Sequence, residues 1–99
     1  MRLTTQQAID IRKLVAQLAG STARVWLFGS RVRDDARGGD VDLLLEVDSE
    51  VTEPALLAAR LAAKVSRSMQ GRKVDVLIKA PNLLHLPIHT IAMAQGLRL

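Results

Sequence analysis

Asp40, Asp42 and Asp75 are the side chains of this chain most able to act together chemically. Asp40 and Asp42 open the run DVDLLLEVD, and Asp75 stands alone between apolar neighbours in KVDVLI. Side chains alternate faces along a strand, so Asp40, Asp42, Leu44, Glu46 and Asp48 share one face while Val41, Leu43, Leu45 and Val47 share the other. The second set is wholly apolar and is the natural core face, which leaves Asp40 and Asp42 side by side on an open one. Two like charges that close repel, and a divalent cation between them relieves the repulsion. If the Asp75 segment pairs beside the Asp40 strand, Asp75 points the same way.

A D-x-D at the start of a half-buried strand is by itself usually a solvated face. Its neighbours give it more weight here. The apolar segment Arg24 to Phe28 ends directly in Gly29-Ser30, where glycine lets the backbone approach a phosphate and serine adds a hydroxyl beside backbone N–H donors. Ser30 to Arg33 fits one turn of helix whose amide end favours an anion. Arg31 and Arg33 stand where they can steer or clamp phosphates, or serve as plain surface arginines among Asp34, Asp35 and Arg37. Gly38-Gly39 frees the loop to close. Three converging carboxylates near a phosphate cradle meet the needs of two-metal phosphoryl chemistry.

In order and spacing these motifs resemble the minimal nucleotidyltransferases of the DNA polymerase beta type superfamily, small prokaryotic proteins often encoded with HEPN-domain partners. That family's pattern is an apolar residue with Gly-Ser, about ten residues, Asp-x-Asp, and a later acid between apolar residues. Phe28-Gly29-Ser30, Asp40-Val41-Asp42 and Val74-Asp75-Val76 fill it in turn, and IAMAQGLRL resembles the family's closing helix with its glycine stop. Gly39 departs from the pattern, since members commonly carry serine there, so a secondary hydroxyl contact is missing.

The resemblance implies a nucleotidyltransferase fold and ATP as the substrate. It implies two Mg²⁺ ions held by Asp40, Asp42 and Asp75, and phosphates held by Gly29 and Ser30 with Arg31 and Arg33 near. It further implies an antitoxin that adds AMP to a tyrosine of a HEPN-type ribonuclease toxin. The competing expectation is a subunit that neutralises such a partner by contact alone.

The elements that must position these residues can be read along the chain. Thr4 is the expected N-cap and Gln7 its capping-box partner; Ala8, Ile11, Leu14, Val15 and Leu18 recur at helical spacing, and Gly20 stops the helix. Arg24 to Phe28 reads as a strand apolar on both faces, as in a sheet covered on two sides. Thr52 is the expected cap of a second helix with Pro54 in its first turn, and Leu57, Leu61, Val65 and Met69 form its stripe. Arg60, Lys64, Arg67 and Arg72 make its outer side basic. Gly71 ends that helix, Lys73 to Ile78 is the next strand, and Pro81-Asn82 turns the chain. Pro87 opens and Gly96 closes a last helix. With Pro87 between them, His85 and His89 make a poor metal pair and fit a role at the core's edge or against a partner.

The expected fold is therefore α/β (α+β), a small mixed sheet packed with helices in the order helix, strand, turn, strand, helix, strand, helix. At 99 residues and 48% hydrophobic content, residues 1–99 form one domain that buries roughly 65% of its unfolded surface. The chain has no cysteine, which excludes disulfides and thiolate metal sites and suits the cytoplasm. No segment has the apolar core of a signal peptide or the roughly 18 apolar residues of a membrane span. The net charge of +4 suits attraction of a nucleoside triphosphate. With no basic run, and with Trp26 and Phe28 the sole aromatics, the sequence argues against a dedicated nucleic-acid binder. Leu83 to Leu99 is apolar enough to be covered by another chain, either a partner or a second copy in a homo-oligomer, or to close the chain's own core.

Overall fold

The structure, a computed structural model, describes residues 3–28 and 41–99. Its elements are α1 (Thr5–Ala19), β1 (Arg24–Phe28), β2 (Val41–Glu46), α2 (Pro54–Ser68), β3 (Val74–Lys79), α3 (Pro87–Gln95) and β4 (Leu97–Arg98). The α+β class and the expected element order are both present, and β4 is added at the end.

Local chemistry explains most of the boundaries. Thr4 accepts a hydrogen bond from the Gln7 N–H at 3.0 Å while its own N–H donates to Gln7 Oε1 at 2.9 Å, the reciprocal cap the sequence predicts. Gly20 closes α1 with φ of 94°, a conformation that other residues adopt only with strain. α2 starts differently from the expectation. Its N-cap is Glu53, without a side-chain hydrogen bond, and Thr52 lies one residue outside. Pro54 fixes the first helical φ and has no N–H to be capped, so the residue before it becomes the cap whatever its side chain.

The sheet runs β3-β2-β1-β4. β1 lies antiparallel to β2 and β4, whereas β2 and β3 are parallel. Parallel neighbours need a crossover, and α2 supplies it. Ile11 and Val15 of α1, Leu61 and Val65 of α2 and its C-cap Met69 pack on Val25, Leu27, Val41, Leu43 and Leu45 to form the core. The helical stripes and the apolar strand face were therefore legible.

The other sheet face departs from expectation. It is not open along its length, because α3 packs across β1 and β2 there, Leu44 is fully buried and Glu46 nearly so. Trp26 and Phe28 lie on this face and are half-buried, so β1 is not equally covered on both sides.

α3 ends against the sheet at Gly96, whose N–H donates to Ala92 O at 2.8 Å. A methyl group at Gly96 would run into the carbonyls of Ala92 and Leu27, the latter 2.8 Å from the ideal Cβ position. Both obstacles are backbone and cannot swing away. Gly96→Ala is expected to destabilise the fold by about 1–3 kcal/mol, read as a lower urea midpoint. An unchanged midpoint would mean that the corner between α3 and β4 relaxes freely.

Candidate functional site

Strand register sorts the α3-side face into three rows. Phe28, Asp42 and Asp75 are paired at one end, Trp26, Leu44 and Leu77 in the middle, and Arg24, Glu46 and Lys79 at the other end. Paired residues on neighbouring strands point to the same face about 4.8 Å apart. Asp42 and Asp75 are thus neighbours on one face, as the sequence required if their strands were to pair. The hydrogen bond from Val41 N to Lys73 O, 2.9 Å, closes the ladder at this end and holds the two acids level.

Asp42 is half-buried, and the Asp75 side chain is 53% exposed with Lys73 Nζ 4.0 Å away. That distance and exposure make the Lys73 contact a weak one. Lys73 was not singled out from the sequence as a site residue, although standing two residues before Asp75 is the signal that would have found it.

Two neighbouring carboxylates on an accessible face are oxygen donors of the kind a hard divalent cation takes. Among the described residues no group of three or more acids and histidines could hold a metal ion. The third acid of the pattern, Asp40, lies outside the described residues, as do Gly29, Ser30, Arg31 and Arg33. Phe28, the last residue of β1, is in register with Asp42. The Gly29-Ser30 pair therefore follows directly from the strand position beside the acids.

The far row shows what the fold does with an acid meant for structure. Glu46 accepts from Arg24 Nε at 2.7 Å and from Lys79 Nζ at 3.1 Å, and Arg24 also reaches Asp48 at 2.8 Å. Burial alone would raise the Glu46 carboxyl, but the hydrogen bonds from Arg24 and Lys79 outweigh it and hold the group below the usual carboxylate range. Asp48 is held down likewise by Arg24. A cleft of about 390 Å³ opens beside these groups. Its charges already satisfy one another, which makes it a poor candidate for chemistry.

His89 lies in the first turn of α3. Its Nδ1 accepts from Leu86 N–H at 3.0 Å, the ring is buried, and the His85 ring lies 5.3 Å away. An accepting Nδ1 carries no proton, so this is the neutral ring acting as the cap of α3. His85 Nε2 is bonded to Thr90 Oγ1 at 2.7 Å. His89 thus serves the core's edge, one of the roles the sequence suggests, whereas His85 is exposed.

A family model described as a nucleotidyltransferase domain matches residues 9–93. No curated protein matches the chain.

Burial, then His85 and Lys79 nearby, lower the pKa of His89 from its ordinary 6.5. A depressed group gives stability that is present above the unfolded value and is lost as pH falls through the folded one. Wild-type stability to urea is expected to decline as pH drops below about 6.5. His89→Gln keeps an acceptor at the same helix position without titrating, so its decline over that window should be shallower. Equal slopes would remove His89 as the cause.

Proposed function

The chain belongs to the nucleotidyltransferase domain family, and we propose that it transfers AMP from ATP to a hydroxyl of a partner protein. In this reading it is the antitoxin of a HEPN-type toxin–antitoxin pair. The observation that carries the proposal is the register pairing of Asp42 with Asp75 beside the end of β1. The family match supports nucleotidyl transfer as the activity. AMP, the protein acceptor and the HEPN partner rest on the resemblance of the motifs.

The acceptor hydroxyl attacks the α-phosphorus, the bond from that phosphorus to the bridging oxygen breaks, and pyrophosphate leaves with the electron pair. Asp75 lies on the outer strand, facing the acceptor, and helps take the hydroxyl proton. Gly29 and Ser30 hold the β and γ phosphates, and Arg31 and Arg33 offset their charge. Asp40, Asp42 and Asp75 would hold two Mg²⁺ ions, which neutralise charge on the triphosphate and favour the ionised hydroxyl. Work of this kind is mostly positioning and electrostatics, so a few acids and a phosphate loop suffice.

A reading by contact alone has one observation in its favour, the exposed side chains of Leu84, Leu86, Ile88 and Ile91. It does not account for the register that places two acids level on one face.

The test follows label from ATP carrying a radioactive α-phosphate into protein, in lysate of the source cell with Mg²⁺. Asp42→Asn is expected to reduce transfer by at least about a hundredfold while leaving the circular dichroism spectrum unchanged. Transfer retained in that variant would refute the role of Asp42. A partner neutralised equally well by wild type and Asp42→Asn, with no label on any protein, would establish the contact reading.

A further inference from the structure

Charge is unevenly spread along this chain. From Pro54 to Val74 there are five cations, Arg60, Lys64, Arg67, Arg72 and Lys73, and no acid, so the rest of the chain holds nine cations against ten acids. The net positive charge of the protein therefore comes from α2 and the turn after it. Leu61 and Val65 of α2 are buried against the core. With about 3.6 residues per turn, Leu56, Arg60, Ala63, Lys64 and Arg67 fall on the opposite side of the helix. All five are exposed, Leu56 by 41%.

None of Arg60, Lys64 and Arg67 makes an ion pair among the described residues. Their spacing of four and then three residues makes each the neighbour of the next on the helix surface, where like charges repel. Arg67 lies in the last turn, where a cation suits the carbonyl end of the helix. That reason does not extend to Arg60 and Lys64, which stand in mid-helix with no acid three or four residues away to offset them. On its own the row costs the helix stability, and an anionic surface laid along it reverses the sign.

We propose that this outer face of α2 binds the acidic side of an α-helix of a partner protein, whose Asp or Glu residues repeat at the same spacing opposite Arg60, Lys64 and Arg67. Two helices lying nearly side by side both rise about 1.5 Å per residue, so charges spaced alike on them stay opposite one another. Ala63 is small enough to let the two helices approach, and Leu56 offers an apolar contact at the start of the row. A nucleic acid would need only the cations. The leucine and alanine among them, and the absence of Trp, Phe or Tyr outside β1, favour a protein helix over base stacking. The inference uses none of the residues of the transfer reading and stands whether or not that partner is the acceptor.

The probe is a labelled synthetic helical peptide with Glu at i, i+4 and i+7 on one face, and its control has the same composition with Glu spread round the helix. Binding is read by fluorescence anisotropy, with a labelled RNA oligonucleotide titrated alongside. Arg60→Gln/Lys64→Gln removes two charges from the row, and Arg12→Gln/Arg98→Gln removes two from a cleft between α1 and β4. The patterned peptide is expected to bind wild type at least about tenfold more tightly than the control. Arg60→Gln/Lys64→Gln should lose that preference and Arg12→Gln/Arg98→Gln should keep it. The urea midpoint of Arg60→Gln/Lys64→Gln should equal or exceed that of wild type, because repulsion within the row is relieved. No preference between the peptides, or equal losses in the two variants, would reduce the row to net charge and overturn the proposal. A midpoint lowered by Arg60→Gln/Lys64→Gln would also overturn it, by giving the cations a structural role. Tighter binding of the RNA, lost in that variant alone, would assign the row to nucleic acid instead.

Discussion

The register of β2 against its two neighbours is the constraint from which the rest follows. β2 is paired on both edges, antiparallel to β1 and parallel to β3, and each of its residues is therefore matched on either side. On the core face this stacks Val25, Leu45 and Ile78, and next to them Leu27, Leu43 and Val76. On the opposite face the same matching produces one row of opposite charges around Glu46 and one row in which Asp42 meets Asp75. A slip of one residue between β2 and β3 would turn Asp75 to the core face and an apolar neighbour outward. The buried apolar face that stabilises the sheet thus also holds the acid pair in register.

The two ends of the α3-side face contrast in how acids are used. Glu46 is nearly buried and is surrounded by Arg24 and Lys79, which arrive from both neighbouring strands. Breaking such a pair leaves an uncompensated charge out of water, so the arrangement fixes structure and is closed to ligands. At the Asp42–Asp75 end the cation identified is Lys73, exposed and 4.0 Å from Asp75. α3 and the turn before it cover the Leu44 and Glu46 portion and leave the acid end accessible. Coverage, more than composition, separates the structural acids from the candidate catalytic ones.

What could be read from the sequence was what depends on local period and local chemistry. The capping box at Thr4 and Gln7, the stripes of α1 and α2 and the alternation along β2 each repeat within a few residues, and each is present. The placing of Asp75 was legible only as a condition on strand pairing, and the parallel register met it. The ion pairs of Glu46 were not legible, since Arg24 and Lys79 lie 22 and 33 residues from it in sequence. With acids at four of the five positions on that face, the sequence read as open water where the fold places a helix. β4 escaped notice because two residues, Leu97 and Arg98, carry no periodicity. The Thr52 cap failed because a proline at the helix start outweighs side-chain preference. Gly29, Ser30, Arg31, Arg33 and Asp40 lie outside the described residues, so the roles expected of them are readings of the sequence pattern alone.

A small sheet has two faces to cover and few helices with which to cover them. Among the described residues, α1 and α2 fill one face of this sheet and the nine residues of α3 cover part of the other. A short helix crossing β1 and β2 cannot shield the whole of that face, and among the described residues Asp75 at one end of it stays 53% exposed. The exposed side chains at Leu84, Ile88 and Ile91 and the acid pair at Asp42 and Asp75 are two results of that same shortage. Exposed apolar groups favour association, and two neighbouring carboxylates favour a cation. In so small a domain one short helix leaves both apolar groups and acids exposed among the described residues.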